Sequence, residues 1–202
     1  MNHDLVLCIS DMHHPFAHPD TLPFLKAIKE KYWAKAKNPC VVIGGDEVDF
    51  HGISFHDKDP SLPNASEELK LAKDKLKFIY KLFPKAYVLE SNHGSLVFRK
   101  QMHHGIPIEV FKSYNEFLEA PKDWTWMKDL VLSVGKGQLV YFHHGKASDV
   151  LKLSQAMSMS AVQFHYHEKF KLEYWANPLG LYFGLQCGCL VDDEARAFAY
   201  NK

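Results

Sequence analysis

Long apolar runs are missing from this chain. No stretch approaches the roughly 18 consecutive apolar residues of a membrane-spanning helix, which excludes an α-helical membrane protein. The N-terminus also lacks the basic region, apolar segment and small-residue cleavage site of a secretory signal, so a cytoplasmic location is expected. An excess of one charge is absent as well: Lys+Arg and Asp+Glu balance at 24 each. There is thus no net basic field, which counts against tight nucleic-acid binding. Cysteine is scarce at four. Cys8 and Cys40 fall inside apolar strand-like runs, while Cys187 and Cys189 alternate along another in a spacing that matches no thiolate metal site. Free thiols in a reducing compartment are the expectation. No internal repeat, low-complexity tract or linker divides the 202 residues, so one domain spanning 1–202 is expected.

What the chain does have is histidine, 13 in all, and a set of short apolar strands that end on polar residues. Leu5–Ser10 leads into Asp11-Met12-His13, and Val41-Val42-Ile43 leads into Gly44-Gly45-Asp46-Glu47-Val48-Asp49. Tyr87-Val88-Leu89 leads into Ser91-Asn92-His93-Gly94. Each run is too short for a helix and rich in β-branched or aromatic residues, hence a strand. Between them, helical spacing of Leu22, Leu25, Ile28 and Tyr32 predicts a helix over 21–36, capped by Asp20. Leu69, Ala72, Leu76, Ile79 and Phe83 predict a second over 67–82. Both helices carry lysines expected to form a solvated face. Residues 96–119 read as broken helix, interrupted around Gly105-Ile106-Pro107, and 124–126 begin a β region. Leu130–Val134 and Gln138–Phe142 flank Gly135-Lys136-Gly137 as a hairpin that runs into His143-His144-Gly145. A helix over 147–157, a strand over 161–164 ending on His165-Tyr166-His167, and two or three strands in 170–200 complete the reading. Alternating strands and helices followed by a strand-rich half predict an α/β (α+β) fold of two packed mixed sheets flanked by helices.

Ligand-type residues at so many strand ends define a candidate site: Asp11, His13, Asp46, Asn92, His144, His165 and His167. Imidazole and carboxylate together suit Mn, Zn, Fe or Ni better than the all-oxygen shells of Ca or Mg. Seven donors exceed one tetrahedral site and suffice for two ions that share a carboxylate. Paired ions of this kind match the charge that builds on a phosphoryl group and activate water at neutral pH.

Asp11-x-His13, Gly45-Asp46-x-x-Asp49, Asn92-His93, His144-Gly145 and His165-x-His167 resemble, in order, the five blocks of calcineurin-like metallophosphoesterases. The remainder, including Lys112–Glu116 and Gly188–Asp192, resembles the small phosphoesterases often encoded by bacteriophages. The resemblance implies Asp11, His13 and His167 on one divalent transition-metal ion, Asn92, His144 and His165 on the other, and Asp46 bridging. Mn is the first expectation for both ions. The resemblance implies His93 as the acid for the leaving oxygen and a phosphate-ester substrate; a phosphodiester is expected before a monoester, because the loop over 50–63 with His103 and His104 gives room for a broad cleft. Arg99 is a candidate for the substrate phosphate, with a surface ion pair as its alternative. His51, His56, His103 and His104 are candidates for the cleft wall. A non-catalytic descendant that binds a protein partner is the rival reading.

Two departures from the pattern carry expectations. Gly94 stands where an acid usually orients the histidine, and Phe164 stands where a glycine usually precedes His165, where its ring is expected to crowd the second metal.

Overall fold

The computed structural model describes residues 2–55, 59–192 and 194. His56 and any strand beyond residue 194 lie outside the described residues. Ten strands are present among them: β1 Asn2–His3, β2 Leu5–Ile9, β3 Pro39–Ile43, β4 Ala86–Leu89, β5 Trp124–Met127, β6 Asp129–Val134, β7 Gln138–His143, β8 Ser160–Gln163, β9 Phe170–Asn177 and β10 Gly180–Cys187. The helices are α1 Thr21–Tyr32, α2 Ala65–Leu82, α3 Leu96–His103, α4 Tyr114–Leu118 and α5 Val150–Met157.

The strands form two sheets, one ordered β1-β6-β7-β8-β10-β9 and one ordered β2-β3-β4-β5. Only the larger is mixed, with β6–β7 and β9–β10 antiparallel. The four-stranded sheet is parallel throughout, which corrects the expectation of two mixed sheets. Parallel neighbours need a crossover, and helices occupy each of these connections.

Strand alternation assigns each side chain to a layer. Cys40 and Val42 of β3 and Leu89 of β4 meet Val140, Phe142 and Val162 of the larger sheet in an inter-sheet core. Val41, Ile43 and Val88 point the other way, onto Leu25 of α1 and Ala72, Leu76 and Ile79 of α2. Tyr141 and Ala161, the outward residues of β7 and β8, are covered by Val150 and Leu153 of α5. The result is helix, sheet, sheet, helix. No helix among the described residues is long and apolar enough to cross a membrane.

Helix ends follow capping chemistry where a cap exists. α2 begins at Ala65, earlier than its apolar stripe, because Asn64 and Glu67 form a capping box. α5 begins at Val150, later than expected, because Asp149 accepts the Lys152 N–H at 2.9 Å. Asp20 occupies the cap position of α1 yet makes no side-chain cap bond, and α1 ends at Tyr32 in a short 3₁₀ turn.

Candidate metal centre

β2, β3 and β4 are parallel neighbours, as are β7 and β8, so within each sheet these carboxyl ends share one edge. The loops after them lace together through the backbone. Met12 and His13 both donate to the Asp46 carbonyl, at 3.1 and 2.8 Å. The Asp46 N–H donates to Ser91 Oγ at 2.8 Å, and the His93 N–H to Asp46 Oδ1 at 3.0 Å. The two sheets are joined at the same place, where His165 N–H donates to Asp11 Oδ2 at 2.9 Å. Three of the candidate donors, His13, Asp46 and His165, sit in the left-handed region at φ 46°, 46° and 71°. Non-glycine residues hold such a conformation at a cost of about 1–3 kcal/mol each, and do so where the surroundings enforce it.

Two donor groups result. Asp11, His13, Asp46 and His167 place one ligand atom each within 4.8 Å of the others, and so do Asp46, His144 and His165. Asn92 joins the second group, its Oδ1 lying 2.8 Å from His144 Nε2. Asp46 belongs to both, with Oδ2 at 3.4 Å from His13 Nε2 and 3.2 Å from His144 Nε2. These buried groups can coordinate metal ions, and the ring orientations fit that use. A carbonyl only accepts, so His144 Nδ1 must donate to the Gly44 carbonyl 2.7 Å away. Its Nε2 lone pair then faces the donors. His13 is held the same way, with Nδ1 at 2.7 Å from Asp49 Oδ1, and its Nε2 lies 3.1 Å from His167 Nε2. Two ring nitrogens aimed at one another among carboxylate oxygens suit a shared cation.

The electrostatics agree. Burial works against charge on His13, but Asp46 and Asp49 outweigh it and push the imidazole up to about 10. Burial likewise opposes His144, and Asp46 and Asp11 raise it to about 9. Burial alone would raise Asp46; His144 and His13 hold it well below the usual carboxylate range. His165 is lowered by burial and by the neighbouring His144. The pocket therefore attracts positive charge.

Other sequence expectations resolve individually. His143 turns away from the donors and stacks on Tyr141, as strand alternation requires. Phe164 does not crowd the site: it is buried in the inter-sheet core. It packs on Gly44, where a Cβ would meet the ring at 2.2 Å. Of the two adjacent glycines only Gly45, at φ 97°, takes a positive φ. A Cβ at Gly94 would meet Ser91 Oγ at 2.9 Å, with Glu47 Oε1 next at 3.7 Å. Burial pushes Glu47 up to about 7. Asp49 takes the orienting role, with its carbonyl 2.5 Å and its Oδ1 3.4 Å from His93 Nδ1. The sequence alone gives Asp49 no role; its signal there is a second acid three positions after Asp46.

Arg99 makes no surface ion pair among the described residues. Its Nη2 donates to the Asn92 carbonyl at 2.5 Å, beneath a candidate ligand. His51 is buried and accepts the Asp59 N–H, a loop-holding role in place of a cleft wall. His103 and His104 lie exposed at the end of α3, rings 5.3 Å apart. Cys8, Cys40 and Cys187 are free thiols. No family model and no curated protein matches the chain.

Proposed function

We propose that this protein is a phosphoesterase with a dinuclear metal centre, acting on phosphodiesters. The observation that carries the reading is a single carboxylate, Asp46, shared by two groups of histidine and acid donors at the joined edges of two sheets. Asp11, His13 and His167 would hold one divalent ion, Asn92, His144 and His165 the other, and Asp46 both. Mixed nitrogen and oxygen donors suit Mn, Zn, Fe or Ni, and Mn is the first expectation. Such ions, when bound, lower the pKa of coordinated water to about 7 and offset charge on a phosphoryl group.

The chain supplies the rest. Asp49 fixes His93 with the proton on Nδ1, so Nε2 is the atom that takes up a second proton and hands it to the leaving oxygen. The His93 and His13 rings meet edge to face at 4.5 Å, which sets His93 against the donor cluster without making it a member. The diester preference draws on His103 and His104, which lie exposed at the end of α3. The rival reading, a scaffold that only binds a protein, drew on the missing acid at position 94, and Asp49 accounts for that acid.

Purified protein assayed with added Mn against aryl phosphate mono- and diesters, with EDTA as control, tests the proposal. The expected result is EDTA-sensitive turnover with higher kcat/KM on the diester. Absence of turnover with any of Mn, Zn, Fe or Ni would remove the enzymatic reading.

A further inference from the structure

The chain is neutral overall, but the segment that flanks the candidate centre is not. From Ser91 to Ile108 there is no Asp or Glu, while Arg99, Lys100 and three histidines fall in the same stretch. α3 lies in this segment and starts three residues after His93. Arg99 is fastened to the centre through its bond to the Asn92 carbonyl. On its other side the guanidinium carbon stands 5.7 Å from the ring centroid of Phe55, and Lys100 Nζ stands 3.7 Å from the same centroid.

Phe55 itself is 61% exposed. Other aromatic side chains of this region are turned inward: Phe50 is buried against Phe117, and Phe98 packs with Phe111, Tyr114 and Phe117. A ring serving only the core would join that cluster. Phe55 instead faces outward, steered by two cations, one of which is bonded to a residue of the candidate centre. Lys100 has no carboxylate partner among the described residues, so its charge is available at the ring.

We propose that Phe55 is a stacking platform for the nucleobase of a phosphodiester substrate, with Lys100 and Arg99 giving the adjoining phosphate a positive rim. The proposal rests on the phosphoesterase reading and names the substrate class of that site. Every nucleobase offers a π-face, so stacking on one aromatic ring is sequence-tolerant, and cations beside it draw the phosphate backbone. Neutral net charge is compatible with this, because the basic rim is local.

Two esters with the same leaving group isolate the nucleoside's contribution: the p-nitrophenyl ester of thymidine 5′-phosphate and ethyl p-nitrophenyl phosphate. With Mn present, the nucleoside ester should show higher kcat/KM by about tenfold, carried mainly by KM, as stacking of one base implies. Phe55→Ala should erase that preference and leave the ethyl ester unchanged, while Phe55→Trp should keep it. Fluorescence anisotropy with a single-stranded oligothymidylate gives a readout that needs no turnover; Phe55→Ala and Lys100→Ala should each weaken binding. Tighter use of the oligonucleotide than of the single nucleotide would assign the platform to a strand, and the reverse to a small nucleotide diester; either supports it. If the ethyl ester is cleaved but Phe55→Ala alters neither the preference nor oligonucleotide binding, the platform is wrong and the phosphoesterase reading stands. If no ester is cleaved while oligonucleotide binding still depends on Phe55, the phosphoesterase reading is the one overturned.

Discussion

An aspartate that accepts from one imidazole through its carboxylate and from another through its carbonyl determines where both rings keep their protons. Asp49 does this for His13 and His93. Replacing it with alanine leaves His13 free to rotate and to present either nitrogen. Partners of this kind are worth about 10–100-fold in metal affinity. Calorimetric titration of Asp49→Ala with Mn should therefore show a weakened site at the His13 group, with the His144 group less affected. Equal weakening of both would place Asp49 elsewhere in the network. His93→Ala should behave in the opposite way, retaining metal and losing about 10²–10⁴-fold in kcat, less for substrates whose leaving groups need no proton. Loss of a metal equivalent in that variant would make His93 a ligand. At this scale the seven candidate donors stand out in the sequence because each lies within four residues of the end of a strand. Asp49 could not be given its role that way, since it acts through rings brought to it from two other loops.

At the scale of elements, most strands were legible from β-branched runs, and the expected hairpin at Gly135–Gly137 forms between β6 and β7. Helix starts were less legible. Apolar spacing marks the packed face of a helix, whereas the first turn is set by caps such as Asn64 and Asp149. The role of Gly44 was not legible either, because the reason for glycine there lies 120 residues away in Phe164. Gly44→Ala would drive a methyl group into that ring. Overpacking of this sort typically costs about 1–3 kcal/mol, which urea denaturation would report as a lower midpoint at unchanged m. Gly44→Ala combined with Phe164→Leu should cost less than the sum of the two single changes, since the smaller side chain vacates the contact. Strict additivity would mean that the two residues do not share the space.

For the whole molecule, the two sheets are joined at their carboxyl edges by charged side chains, so stability, proton uptake and metal binding are linked. Without metal, His13 is raised from 6.5 to about 10 and His144 to about 9, so both rings are protonated at neutral pH. A raised folded-state pKa contributes stability that is complete below the unfolded value and is lost as pH rises through the folded one. EDTA-treated protein should thus lose stability between about pH 7 and 10 from these two rings. Metal reverses the dependence, because a ligating imidazole must be neutral. Saturation at pH 7 should release about two protons, one each from His13 and His144, and metal affinity should fall as pH drops. Calorimetry in buffers of different ionisation enthalpy reads the proton count directly. At free metal 100-fold above Kd the folded state gains about 2.7 kcal/mol per site, so added Mn should raise Tm, and more at pH 8 than at pH 6. Buried His14 adds to the acid side: burial and Lys75 depress it to about 4, and stability present above pH 6.5 is lost as pH falls toward that value. His14→Leu should flatten this acid limb while leaving the number of protons released by metal unchanged, since neither ring nitrogen of His14 has a hydrogen-bond partner among the described residues. A change in that proton count in His14→Leu would show that the ring behind the centre is coupled to it, and the release could no longer be assigned to His13 and His144 alone.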